Sequence, residues 1–376
     1  MDAKILEKKI ELVVDKLLNL GGADYEQDKE IPLEEVLKSG KCARDYGIEE
    51  WDWPQGVGLY GLYLLQSYKN TDEYMDFFVN WFERNLEIGL PSRNINTTCP
   101  YLTLVNILDK MPEKEKYEKL CLDQAEFLMK ELPKTKDGGF QHVTSAIGDR
   151  NGVMLNNGQI WADTLFMAVL FLQQMGIRYN NEDWKAEATH QFLVHIKYLY
   201  SKTAGLFYHG FSFERNDNFG GVYWCRGNSW FTLGVTLFLE KADYLDKGTR
   251  QFIVDTFVDH AEALKKYQAK SGLFHTVIDD DSSYEEVSGT AAMAAGLIRG
   301  IELGLLSDDY KECAKKAVLA ICDNVDADGT VLNVSAGTAM GMDAEHYKNI
   351  QIRPMAYGQS LALVALCYFA GVDNTI

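Results

Sequence analysis

Basic residues are the first thing in short supply. The chain of 376 residues carries 37 Lys and Arg against 55 Asp and Glu, a formal net charge of −18. That excess of acid argues against nucleic acid and against anionic membrane surfaces as partners. An anionic small molecule would have to be met by a local cluster of Arg, His and backbone N–H donors. The seven cysteines (42, 99, 121, 225, 313, 322 and 367) contain no CxxC pair. An odd, unpatterned set reads as reduced thiols, and makes the cytoplasm the expected location. There is no HExxH, no clustered His and no EF-hand loop, so no metal or other cofactor is expected. No apolar run reaches the span of a bilayer. The opening MDAKILEKKIELVVDKLL has neither an apolar h-region nor a small-residue cleavage site, so no export signal is expected. β-strand signal is sparse as well; short pieces such as 205–208 and 273–277 would pair within loops.

What the chain does have is helical periodicity of two kinds. Segments 3–20, 72–87, 113–132, 182–200, 247–268 and 308–324 are charged and amphipathic, as in Leu6, Ile10, Val13, Val14 and Leu17. Segments 55–68, 97–108, 160–175, 227–239, 288–303 and 357–370 are apolar on nearly all sides and rich in small residues. A helix with one apolar stripe lies outside, and one that is apolar all round is enclosed. The two kinds alternate six times. The steps between inner helices are mostly longer than those of an open solenoid, with the surplus in the connections before them. This predicts an all-α protein, an (α/α)6 barrel of six inner and six outer helices. No Pro/Gly/Ser linker divides the chain, so residues 1–376 are read as a single domain. Long loops converging on the N-terminal mouths of the inner helices are the place for function.

The stretch 156–176 organises this reading. Asn156, Asn157, Gln159, Trp161 and one carboxylate, Asp163, stand at the entrance of an apolar run. A charge there is either solvated at a helix mouth or retained for chemistry. The other mouths add candidates. Trp51-Asp52-Trp53-Pro54-Gln55-Gly56 opens the first inner helix: Trp53 suits an aromatic wall or the core equally, and Asp52 reads as an ordinary N-terminal charge. Before the second, Asn94 reads as a cap, while Asn96 is either a cap or a polar group aimed at the pocket. His142 and His209 lie in long loops, and the pattern around His209 recurs at His275. Trp224-Cys225-Arg226-Gly227-Asn228-Ser229-Trp230 drives a guanidinium into an apolar helix, where it needs an anion, either a structural Asp or Glu or a substrate carboxylate. Ser288 or Thr290 is the expected cap of the fifth inner helix, with Glu285 and Glu286 close by. The Gly-Thr-rich loop 337–341 lacks the Lys and spacing of a P-loop.

At these residues the chain resembles glycoside hydrolase family 105, the unsaturated glucuronyl and galacturonyl hydrolases, kin of family 88. The stretches 160–168 and 224–230 carry most of the resemblance, supported by Gly138-Gly139-Phe140, Tyr208-His209-Gly210 and Glu286-Val287-Ser288-Gly289-Thr290. It covers nearly the whole chain and implies an (α/α)6 barrel. It further implies an unsaturated uronyl oligosaccharide as partner, most simply galacturonyl-rhamnose from pectin. The C4=C5 enol ether of its nonreducing sugar would be hydrated, and the hemiketal formed would open to release the rest. By the same resemblance Asp163 is the general acid/base, with a carboxyl pKa lifted toward working pH by apolar neighbours against the pull of a helix N-terminus. Trp53, Asn96, His142, His209, Trp224, Arg226 and Trp230 would then hold substrate, Arg226 on its carboxylate. The family often carries a second aspartate where Asn96 stands, and a Tyr where Trp53 stands. The alternatives are another (α/α)6 glycosidase or sugar epimerase, for which Asp163 would need a partner such as Glu286 or His209, and a catalytically silent carbohydrate-binding protein.

Overall fold

The computed structural model describes residues 3–21, 47–146 and 149–372, so Cys42 lies outside the described residues. Among the described residues six amphipathic helices alternate with six enclosed ones. The outer set is α1 (Ala3–Leu18), α3 (Met75–Ile88), α5 (Lys114–Lys130), α7 (Glu182–Leu199), α9 (Lys247–Tyr267) and α11 (Lys311–Asp323). The inner set is α2 (Trp53–Lys69), α4 (Ile95–Ile107), α6 (Leu170–Arg178), α8 (Cys225–Glu240), α10 (Val287–Glu302) and α13 (Ala356–Val372). Each inner helix packs on the next, and α13 closes on α2, so the ring is an (α/α)6 barrel.

The two helix types behave as their patterns require. In α1 the buried residues are Leu6, Ile10, Val13, Val14 and Leu17, one stripe at helical spacing. In α8 every residue from Cys225 to Leu239 is buried. Such crowding needs small residues where backbones meet. A Cβ on Gly56 of α2 would stand 2.6 Å from the Pro100 nitrogen of α4, and one on Gly296 of α10 would strike the Thr232 carbonyl of α8. The Asp52 carboxylate accepts from Trp53 N–H at the start of α2, and Asn94 forms a reciprocal capping box with Thr97 at the start of α4.

Among the described residues strands occur as short antiparallel pairs in the loops above the inner helices. They are β1 (Thr144–Ala146) with β2 (Asp149–Met154), β3 (Gln159–Trp161) with β6 (Gly210–Ser212), β4 (Tyr200–Ser201) with β5 (Leu206–Phe207), and β7 (Phe274–His275) with β8 (Glu285–Glu286). The third inner element departs from the expected helix over 160–175. Gln159–Trp161 is pinned as a strand, and the helix begins with a π-helical turn, Leu165–Val169, that runs into α6. Sequence reading also missed α12 (Ala344–Lys348), a short helix between α11 and α13. No helix among the described residues is long and apolar enough to cross a membrane.

Candidate active site

The N-terminal mouths of the inner helices surround an open cleft. Asp52 and Trp53 come from the start of α2, Asn96 from α4, Asp163 from the turn before α6, and Trp224 and Arg226 from the start of α8. His142, Trp161 and Asn156 form one side, and the loop Gly337-Thr338-Ala339 forms another. Of the eight residues singled out from sequence, six line this cleft directly. His209 stands just behind Asp163. Trp230 is off the wall: its indole is fully buried, packed edge-on to Trp53 (6.1 Å between centroids) and tilted against Phe166 (5.2 Å). It supports Trp53 from beneath. His275, the repeat of the His209 pattern, sits 2.6 Å from the Ser283 carbonyl and does not line the cleft.

Asp163 is held by its backbone. Its carbonyl accepts from Phe166 N–H and Met167 N–H just ahead of the π-helical turn, while β3 is tied to β6, which carries the chain on from His209. His209 Nε2 lies 3.2 Å from Asp163 Oδ2, and neither atom makes a hydrogen bond elsewhere. The net effect on the carboxyl is a lowered pKa, contrary to the lift expected from apolar neighbours. Burial does push it up, and is the largest single influence. Its contact with His209 is the largest of the influences that lower it, and together these outweigh burial. His142 is stacked on Trp161 at 4.3 Å, its Nδ1 2.7 Å from the Thr164 hydroxyl, and burial pulls its pKa down to about 3, so it is a neutral imidazole.

Arg226 has found its anion within the protein. Glu286 Oε1 is 3.9 Å from its Nη1, and both side chains are wholly buried. The guanidinium also donates to the Ser335 carbonyl (2.9 Å), the Ser335 hydroxyl and the Ala336 carbonyl (2.8 Å), and lies between the Trp224 and Tyr357 rings, 4.4 and 4.8 Å from their centroids. Arg226 thereby anchors the loop that continues into Gly337-Thr338-Ala339. Its Nε–H makes no hydrogen bond within the protein. That Nε–H is a buried donor left without a partner on a residue that lines the cleft. Glu286, not Ser288 or Thr290, caps α10. It accepts from Ser288 N–H, Ser288 Oγ, Gly289 N–H, Ser335 N–H and Ser335 Oγ, so both of its oxygens are committed. Sequence reading missed Ser335, in a loop, and Tyr347, in the five-residue helix α12, which is too short to leave a periodic signal. Among the described residues no three His, Cys, Asp or Glu side chains gather as a metal site.

A ring of twelve helices with one acidic mouth is the frame of a carbohydrate-processing barrel, and comparison with known proteins agrees. Residues 38–370 match the family model described as Glycosyl Hydrolase Family 88. The chain belongs to that family and is a glycoside hydrolase. It is 33% identical over 317 residues to the unsaturated rhamnogalacturonyl hydrolase YesR of Bacillus subtilis (strain 168), covering 84% of this chain and 88% of that one. It is 30% identical over 342 residues to an unsaturated 3S-rhamnoglycuronyl hydrolase of Alteromonas sp. (strain LOR), 81% of this chain and 80% of the other. A crystal structure from Salmonella enterica serovar Paratyphi A, described as a possible member of the GH105 family, superposes with a TM-score of 0.89. It is 32% identical, and the match covers 100% of this chain and 96% of that one.

Proposed function

We propose that this enzyme removes a Δ4,5-unsaturated uronic acid from the nonreducing end of lyase-generated oligosaccharides, with unsaturated galacturonyl-rhamnose from pectin as the leading substrate. The printed activities of its relatives support the reaction class. The observation that carries the reading is the pairing of one cleft carboxylate, Asp163, with a neighbouring imidazole at 3.2 Å, in a cleft that Arg226, with an unpaired Nε–H, also lines. In this reading Asp163 gives its proton to C4 of the enol ether, and the positive charge develops at C5 and the ring oxygen. Water adds to C5 and returns a proton to the Asp163 carboxylate. The hemiketal opens and the remaining sugar departs. Arg226 orients the substrate carboxylate and Trp53 meets a sugar face, while Trp224, 1% exposed, backs the guanidinium.

An ordinary two-carboxylate glycosidase would need a second carboxyl free to exchange protons. Glu286 does not suit that part, because its oxygens hold α10 and the Ser335 loop. The six described cysteines are buried free thiols, which supports a reducing compartment such as the cytoplasm.

The test is the loss of the alkene's ultraviolet absorbance on a panel of unsaturated galacturonyl and glucuronyl disaccharides. Turnover of none of them, with calorimetric binding retained, would favour a silent carbohydrate-binding protein instead. Asp163→Asn is expected to lower kcat by at least about 10³-fold while leaving the unfolding midpoint near that of the parent. A near-normal rate in that variant would remove Asp163 from its role.

A further inference from the structure

We infer that Tyr347 is a positioning residue whose hydroxyl keeps Nδ1 of His209 unprotonated, so that the imidazole hydrogen stands on Nε2, facing Asp163. This rests on the reading of Asp163 as the acid/base. Tyr347 comes from α12, and it is 1% exposed. Its ring packs against Trp224 and His209, 5.6 and 5.7 Å between centroids. The phenol oxygen accepts from Gly341 N–H at 3.0 Å. Its own hydrogen then has two acceptors in reach, His209 Nδ1 at 2.7 Å and Met340 Sδ at 3.7 Å. An imidazole nitrogen is much the better acceptor, since a thioether sulfur accepts only weakly. Burial raises the phenol's pKa, so it remains a donor through the neutral range.

The opposite arrangement is self-defeating. With the hydrogen on Nδ1, the phenol would take two N–H bonds and leave its hydrogen to sulfur. The Nε2 lone pair would then face a carboxylate oxygen at 3.2 Å, acceptor against acceptor. With the hydrogen on Nε2, that oxygen meets a donor and the other carboxylate oxygen is left for proton exchange. The second nitrogen of a functional histidine sets what the first can do. Here the nitrogen away from Asp163 is read by a residue 138 positions further along the chain.

Nitrogen-15 NMR of the histidine-labelled protein near neutral pH tests this directly, with the His209 signals assigned by their loss in His209→Gln. The expected spectrum has a bare Nδ1 and a protonated Nε2. A proton on Nδ1, or on both nitrogens, in the unaltered protein overturns the inference even if no Tyr347 variant folds. In Tyr347→Phe the tautomer should shift or mix, and kcat should fall about 10- to 100-fold with KM within about threefold of the parent. An unchanged tautomer with unchanged kcat overturns it, as does a raised KM at unchanged kcat, which would leave Tyr347 only a loop anchor through Gly341. Asp163→Asn with full turnover would defeat the acid/base reading alone, while the spectrum still judges Tyr347.

Discussion

Asp163 illustrates how a local expectation fails at the level of a single group. Flanked by Trp161 and Phe166, it reads in sequence as a carboxyl lifted by desolvation, and burial is indeed the largest influence on it. The imidazole that overrides burial comes from β6's approach, forty-six residues on, which no window around Asp163 contains. A lowered carboxyl pKa makes Asp163 a carboxylate in the free enzyme at neutral pH, whereas protonation of C4 requires the acid. The sign follows: kcat/KM should fall by about tenfold per unit as pH rises from about 5 to 8, because the protonated fraction of the free enzyme shrinks. Initial rates at low substrate across that range check it. A flat profile would mean that Asp163 does not start the reaction as the acid.

At the scale of elements, the N-terminus of α10 does three tasks with one carboxylate. Glu286 caps the helix, neutralises Arg226 and holds Ser335. Removing it leaves a buried guanidinium with no counter-charge and a helix end without its cap. Glu286→Ala should therefore lower stability by about 3–5 kcal/mol, read as the shift in a urea unfolding curve. The loop 335–339 should loosen at the same time, seen as faster amide exchange at Ser335 and Ala336. Glu286→Gln keeps one accepting oxygen, sets an N–H donor against an N–H at the other position and loses the charge, so its midpoint should fall between the two. The same end of the molecule shows why Arg226 was legible only in part. Its need for an anion is evident from a charge at the entrance of the apolar run 227–239. Its choice of Glu286 and of two loop carbonyls is a matter of which elements the ring brings together.

For the whole molecule, three imidazoles buried among the helices set the response to acid. Burial draws His142 to about 3, and His195 and His260 to about 4, against an ordinary value of 6.5. The unfolded chain therefore binds protons that the folded one refuses. This contribution to stability is complete above about 6.5 and is lost as pH falls toward 4, by about 1.4 kcal/mol per pH unit for each group. Urea midpoints between pH 7.5 and 5 should fall accordingly, and His260→Gln should reduce the slope by about one third. Acid would thus favour turnover at Asp163 while weakening the barrel, so activity should peak in between.

The alternation of outer and inner helices was in the sequence from the start, because a face that meets solvent and a face that meets protein leave different periodic patterns, as α1 and α8 show. So was the list of mouths from which the cleft is built. The start of the third inner helix was not, since Gln159–Trp161 is apolar enough for either a helix or a strand and is decided by its partner Gly210–Ser212. Nor was the set of partners that prepares the site. Arg226 meets Ser335 and Ala336 across 109 and 110 residues, and His209 meets Tyr347 across 138. Local pattern records how a segment is buried, whereas pairing at such separations exists only once the ring has closed and brought distant loops over one mouth.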